Sequence, residues 1–392
     1  MSIIVCYLDM FKVDIRLFKP SVGKEEIDSI KEVFDISWLG LGEKVSDFEK
    51  KWSDQIGIDY SVALNSATAA LHLSLALFKF GHGKKVMMPS MTFASTATAA
   101  IYNNLDPVFV DCYEDSLTMD IDDLKSKWTS DCVAIIPVHY GGEPCDMEEI
   151  MSFAKIKNMK VIEDCAHTQG GVYKGKPLGS WGDIGCFSFE EKKGMTTGDG
   201  GMVCSNNKEL LEPLKSMRWV GIDKDTWKRN KTKSENNERH WYYEISLLGY
   251  KYNMNNLAAA VGLAQLKKLD NFNNHKSKII QLYLNGIKNI DGIEPLLPYS
   301  LINNDRSSYW LFGVRCEKRD ELIKYLTSLG ISTGVHFTPL NIQPFFSKYS
   351  GETPMASKVY KNMCTLPLHM ELTVEEVDYV VSALRSFSLE YI

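Results

Sequence analysis

The residues best suited to covalent chemistry in this chain sit in one stretch, FSFEEKKGMTTGDGG, from Phe187 to Gly201. It carries adjacent lysines, Lys192 and Lys193, in a Gly-rich turn that follows an apolar, strand-like run. Bringing a lysine towards a protein interior costs desolvation of its charge or a lowered pKa. A lysine placed so, with Thr196 and Thr197 beside it, is suited to attack a carbonyl. The aldehyde that fits is pyridoxal 5'-phosphate (PLP). The two lysines are adjacent and are not expected to face one pocket together, and spacing alone does not choose between them.

Other segments offer what such a cofactor requires. A phosphate dianion wants backbone N–H groups at a helix start, plus hydroxyls. Asn65-Ser66-Ala67-Thr68 lies where an apolar strand turns into a helix, so Ala67 and Thr68 are candidate contacts. Ser66 is equally the ordinary cap of that helix. Ser188, between Phe187 and Phe189, is a second candidate hydroxyl or simply the polar face of a strand. A pyridine nitrogen stays protonated beside an anion. The strand Val161-Ile162-Glu163-Asp164 ends in two carboxylates, of which Asp164 is the choice against an ordinary turn or cap, while His167 can reach the phenolic oxygen or simply satisfy a buried helix start. Phe93, at the start of a helix after the second strand, can stack on a flat ring.

These residues need a scaffold. Short apolar runs at Tyr60–Leu64, Lys85–Met88, Pro107–Asp111, Val133–Val138 and Lys160–Glu163 alternate with helical patterns near 67–80, 93–103, 120–128 and 146–158. Such alternation predicts an α/β fold with a mostly parallel sheet covered by helices on both faces. Ile184–Phe189 and Met202–Ser205 follow with almost no helix between them, so part of the sheet is expected to be antiparallel. A helix capped by Ser21 is expected over Glu25–Phe34, another over Val45–Ile56, and one long helical region from Asn256 to about Lys288. After residue 305 a small α+β unit is expected: strands at Tyr309–Arg315 and Ser332–Phe337, helices at 319–328 and 373–388. The expected division is an N-terminal arm (1–14), a large domain (15–265) and a small domain (266–392). The polar stretch Asp223–Arg239 is expected to be either a loop over a site or a disordered surface insertion.

With 392 residues, 44% of them hydrophobic, the chain can build this much core. A net charge of −6 argues against a nucleic-acid binder. Nine cysteines without a CxxC pair are expected to be reduced thiols of a cytoplasmic protein, with no metal site. No run reaches the ~18 apolar residues of a membrane helix. Gly40-Leu41-Gly42 lacks the third glycine and the preceding strand of a dinucleotide fingerprint.

Taken jointly, several blocks resemble the DegT–StrS-type sugar aminotransferases, PLP enzymes of fold type I. They are Trp38-Leu39-Gly40, Asn65 to Leu71, Pro89 to Ala94, Pro137 to Gly141, Glu163 to His167, Phe187 to Gly201, and Leu366 to His369. The resemblance implies a seven-stranded large domain and a homodimer with shared active sites. Its lysine spacing selects Lys193 as the catalytic lysine. It gives Asp164 to the pyridine nitrogen, Ser188 and Thr68 to the phosphate, and Phe93 to ring stacking. Two blocks depart from the family: Glu190-Glu191-Lys192 replaces a frequent His-Pro-Thr, and Gly249-Tyr250-Lys251-Tyr252-Asn253 has Lys251 where an Asn commonly reaches the neighbouring subunit's phosphate. The latter block is similar to the subgroup that makes UDP-4-amino-4-deoxy-arabinose for lipid A. The implied reaction moves an amino group from L-glutamate, leaving 2-oxoglutarate, to C4 of a nucleotide-linked keto sugar for surface polysaccharide or lipopolysaccharide. Arg229 and His336 are candidate substrate contacts. Amination at C3 is an alternative. Relatives with His in place of the lysine are dehydratases of keto-deoxy sugars, against which the retained Lys193 argues; a non-catalytic PLP- or sugar-binding regulator is the third reading.

Overall fold

The computed structural model describes residues 14–223, 241–302, 306–349 and 351–392. Two helices lead in, α1 (Lys24–Asp35) and α2 (Glu43–Ile56). Then β1 (Tyr60–Leu64), α3 (Ala67–Leu77), β2 (Lys85–Pro89), α4 (Ala94–Tyr102), β3 (Asp106–Val110), α5 (Ile121–Lys127), β4 (Cys132–Ile135), α6 (Met147–Lys157) and β5 (Lys160–Asp164) alternate as the periodicity predicts. A small hairpin, β6 (Val172–Tyr173) and β7 (Lys176–Pro177), precedes β8 (Ile184–Ser188) and β9 (Gly201–Ser205). The seven-stranded sheet runs β1-β9-β8-β5-β4-β2-β3. Only β9 is antiparallel, to both its neighbours. The antiparallel β8–β9 pair needs no crossover helix, and residues 189–200 between them form the lysine turn.

Strand alternation sends successive side chains to opposite faces. Val62, Val86, Met88 and Val203 pack under α3 and α4 through Leu71, Leu75, Ala97 and Ala100. Met87, Val108, Ile135 and Val161 pack instead on α5 and α6. Ala63, Phe187 and Met202 meet Phe48 and Trp52 of α2.

Beyond β9 come α7 (Lys208–Met217), α8 (Asn256–Leu266), α9 (Leu269–Ile287), β10 (Glu294–Pro295), β11 (Phe312–Arg315), α10 (Arg319–Ser328), α11 (Pro354–Asn362), β12 (Met363–Leu366) and α12 (Val374–Tyr391). β10, β11 and β12 form a second, antiparallel sheet, whose Phe312 stacks on Tyr283 of α9. Three expectations need correcting here. The long helical region breaks between α8 and α9. Ser332–Phe337 is not a strand: Gly334 makes a single bridge to Thr365, and the place in the sheet belongs to Met363–Leu366. Ser21 does not cap α1; Gly23 does, its N–H donating to Glu26 Oε2 at 2.7 Å, while the Ser21 hydroxyl donates to Glu371. Among the described residues no helix is long and apolar enough to cross a membrane.

Candidate active site

The carboxyl ends of β1, β2, β5 and β8 open on one cavity of about 410 Å³. Crevices at strand carboxyl ends are where α/β sheets bind ligands. Asp164 ends β5. Its partner in the two-carboxylate pair, Glu163, points the other way by strand alternation, accepting the N–H groups of Gly179 and Gly182 at 2.9 and 2.7 Å and bonding to His139. Asp164 faces the cavity. Its Oδ2 accepts the Thr96 hydroxyl at 2.8 Å and its Oδ1 the Ala166 N–H at 3.2 Å. Burial raises the carboxyl pKa, and those two bonds together with the Lys193 charge oppose the rise.

Lys193 reaches the same cavity from the β8–β9 turn. Its Nζ lies 3.8 Å from the centroid of the Trp310 ring. Burial lowers its pKa to about 8, against the opposing charges of Glu190 and Asp164. An amine so placed is partly free base near neutrality, which is what a nucleophile or proton carrier requires. Lys192 also lines the cavity, from an exposed position. Its carbonyl accepts the Trp310 indole N–H at 2.8 Å. The turn is held by Gln169, whose Nε2 donates to the Ser188 and Met195 carbonyls and whose Oε1 accepts the Met195 N–H.

The start of α3 forms another wall. Ser66 caps it, accepting the Ala69 N–H at 3.1 Å, so the cap reading of Ser66 holds; Ala67 and Thr68 face the cavity. Thr68 Oγ1 is 2.6 Å from Ser95 Oγ. Gly201 must be glycine here: a Cβ would stand 2.3 Å from the Ser66 carbonyl carbon. Ser188 lies alongside, its hydroxyl accepting the Glu190 N–H at 3.4 Å. Phe93 is 60% exposed on the cavity wall, its ring 6.0 Å from that of Phe337.

His167 is buried, and its Nδ1 accepts the Gly141 N–H at 3.2 Å. That leaves the proton of the neutral ring on Nε2. Burial and the Lys193 charge hold its pKa well below the usual value, so the ring stays neutral. It stacks on Trp310 at 4.1 Å, and Trp310 stacks on Phe18 at 5.1 Å. His336 lines the cavity too, with Nδ1 3.0 Å from Thr365 Oγ1 and its pKa pushed down to about 4, first by burial.

Of the sequence candidates, Ala67, Thr68, Phe93, Asp164, His167, Ser188, Lys193 and His336 thus meet in one cavity. Lys251 does not line it: exposed, it bonds to Asn253 Oδ1 at 2.7 Å and lies over the Trp219 ring. Arg229, and most of the expected covering loop, fall outside the described residues. Sequence reasoning missed Trp310, Thr96 and Gln169. Gln169 follows His167 by two residues and was within reach of the motif; the other two are brought in from distant segments.

Residues 20–385 match the DegT/DnrJ/EryC1/StrS aminotransferase family. The chain belongs to that family. It is 35% identical to the spore coat polysaccharide biosynthesis protein SpsC of Bacillus subtilis over 93% of its length and 95% of that protein. To the GDP-perosamine synthase of Escherichia coli O157:H7 it is 32% identical, covering 95% and 98%. Spr1654 of Streptococcus pneumoniae in its PMP form superposes with a TM-score of 0.88 at 28% identity, covering 97% of this chain and all of that one; its PLP form gives 0.86. The family member described here offers a fit to that cofactor on its own geometry: an amine, a buried carboxylate, a helix start and a ring-sized cavity share one space.

Proposed function

We propose that this PLP-dependent sugar aminotransferase takes an amino group from L-glutamate and delivers it to C4 of a nucleotide-linked keto sugar, for an amino sugar of a surface polysaccharide. The carrying observation is the Lys193 amine, with its pKa lowered to about 8, opening on the same cavity as buried Asp164. Spore coat polysaccharide and perosamine in the relatives' names support the sugar class. The GYKYN block around Lys251 supports C4.

When bound, PLP supplies an aldehyde and a protonated ring that accepts the electron pair left by a departing proton. The chain's own groups do the rest. The Asp164 carboxylate, fixed by Thr96 and the Ala166 N–H, presents negative charge to the ring nitrogen. Lys193 Nζ takes a proton from the donor's α-carbon and returns it elsewhere, as base and then acid. The α3 amides at Ala67 and Thr68, with the Thr68 and Ser188 hydroxyls, hold the phosphate. His167 donates from Nε2, its ring direction fixed by Gly141 and Trp310. His336 lines the sugar side.

The second half of this reading is a two-fold dimer. Trp241, Tyr242, Tyr243, Ile245 and Leu248 form an exposed apolar segment, Leu248 being 77% exposed, that runs into Lys251. Such a patch marks an interaction surface, and a second copy seated there brings Lys251 to the partner's phosphate site. The test is to convert the protein to its pyridoxamine form and offer a panel of keto-sugar nucleotides. Stoichiometric 4-amino sugar is expected; a deoxy product, or none, contradicts the reading.

A further inference from the structure

A second, much smaller pocket shares Lys192, Lys193 and Trp310 with the large cavity and is otherwise walled by other residues. It holds about 20 Å³, room for roughly one water-sized particle. Its lining contains four lysines, Lys19, Lys192, Lys193 and Lys276, and no carboxylate. Lys276 is the unusual one. It projects from α9, is 5% exposed, and makes no hydrogen bond or ion pair among the described residues. Its Nζ lies against the lysine turn: a Cβ built on Gly194 would be 3.1 Å from it. Burial alone lowers its pKa, to about 8, with no charge to offset it.

Three acids lie near the pocket without pairing Lys276: Glu371 accepts the Ser21 hydroxyl, Glu376 accepts the Thr373 N–H, and Glu26 is committed elsewhere. Glu26 accepts from Gln265 and Lys268 and from the Gly23 N–H. The pocket wall also contains His369, whose Nδ1 is buried without a protein partner. Polar atoms buried in this way are ordinarily satisfied by a partner, water or an ion. Lys276, buried with no ion partner among the described residues, calls for an anion, and room for about one water-sized particle suits a monatomic one.

We propose that this pocket is a binding site for one small monovalent anion of chloride size, held by Lys276 behind the lysine turn. The ion compensates charge that the protein itself leaves unpaired, and so steadies the turn that carries Lys193. This inference is independent of the sugar, the amino donor and the position of amination.

Crystals of the wild-type holoenzyme soaked in bromide test it without any substitution. An anomalous peak within hydrogen-bonding distance of Lys276 Nζ is expected; water density with no anomalous signal overturns the proposal. In solution, melting is followed at constant ionic strength while gluconate is replaced by chloride. The wild-type holoenzyme is expected to gain a saturable upward shift in Tm, and Lys276→Met to lose that shift. A crystal peak with no response of Tm to chloride would mean binding at crystal concentration only and overturns the proposal, as does an equal response in Lys276→Met.

Discussion

Two walls of the active cavity are held in different ways. Along the strand ends, Asp164, Thr96, Ser188 and the start of α3 are fixed by hydrogen bonds and by β register, each within a residue or two of a regular element. Trp310, His336 and Phe337 come from segments more than a hundred residues later and meet mainly ring to ring, Trp310 stacked on Phe337 and edge-on to His336, with one hydrogen bond each from Trp310 to the Lys192 carbonyl and between His336 and Thr365. The link between the walls is backbone contact: the Trp310 N–H donates to the Gly141 carbonyl, and Gly142 lets the chain approach so closely that a Cβ would be 2.6 Å from Tyr309 Cα. The difference suggests a division of labour, with the bonded wall directing charge and protons and the stacked wall setting orientation.

Substitutions that sharpen this contrast should rank accordingly. Lys193→Met removes the group that carries the proton and is expected to lower kcat by at least ~10⁴-fold, the upper range for general acid–base catalysis. Lys192→Met, at the exposed position, should leave turnover nearly intact, and steady-state kinetics of the two variants compares them. Asp164→Asn keeps the shape and bonds to Thr96 but removes the charge; a loss of roughly 10²–10³-fold in kcat is expected, as for other preorganised electrostatic groups. Trp310→Ala takes away one stacked ring, an interaction of about 0.5–1.5 kcal/mol, or ~2–10-fold in binding. Its effect should appear in cofactor dissociation and KM more than in kcat. If Trp310→Ala costs more in kcat than Asp164→Asn, the division of labour fails.

A smaller effect lies in stability. In the folded, cofactor-free protein Lys193 titrates at about 8 instead of 10.5. Between those values the unfolded chain holds a proton that the folded chain has released, so folding grows more favourable as pH rises across that window. Below about 8 both states are protonated and the full penalty for burying the charge remains. Urea midpoints of the cofactor-free protein should therefore climb between pH 8 and 10, less steeply in Lys193→Met.

The contrast also explains what the chain made legible. Strand and helix periodicity located the seven-stranded sheet, because alternation is a local consequence of burying both faces. Asp164, Ser188 and Thr68 stood out because each sits at a strand or helix end inside a short motif, whereas Lys193 was told from Lys192 only by the family resemblance. Trp310 did not, since an aromatic in an apolar run reads as core until the distant Gly141–Gly142 segment is brought beside it. Thr96 was hidden among the small residues of α4, and nothing local reveals that its hydroxyl meets a carboxylate 68 positions away. Ser332–Phe337 misled because its β-branched pattern fits a strand, yet the chain bends there to deliver His336 and Phe337 to the cavity.

The most direct test of the central claim is where the cofactor attaches. Hydride reduction of the holoenzyme followed by peptide mapping is expected to place the stable phosphopyridoxyl label on Lys193, with none on Lys192 or Lys276. Label on either of those residues, or no label at all, contradicts the account.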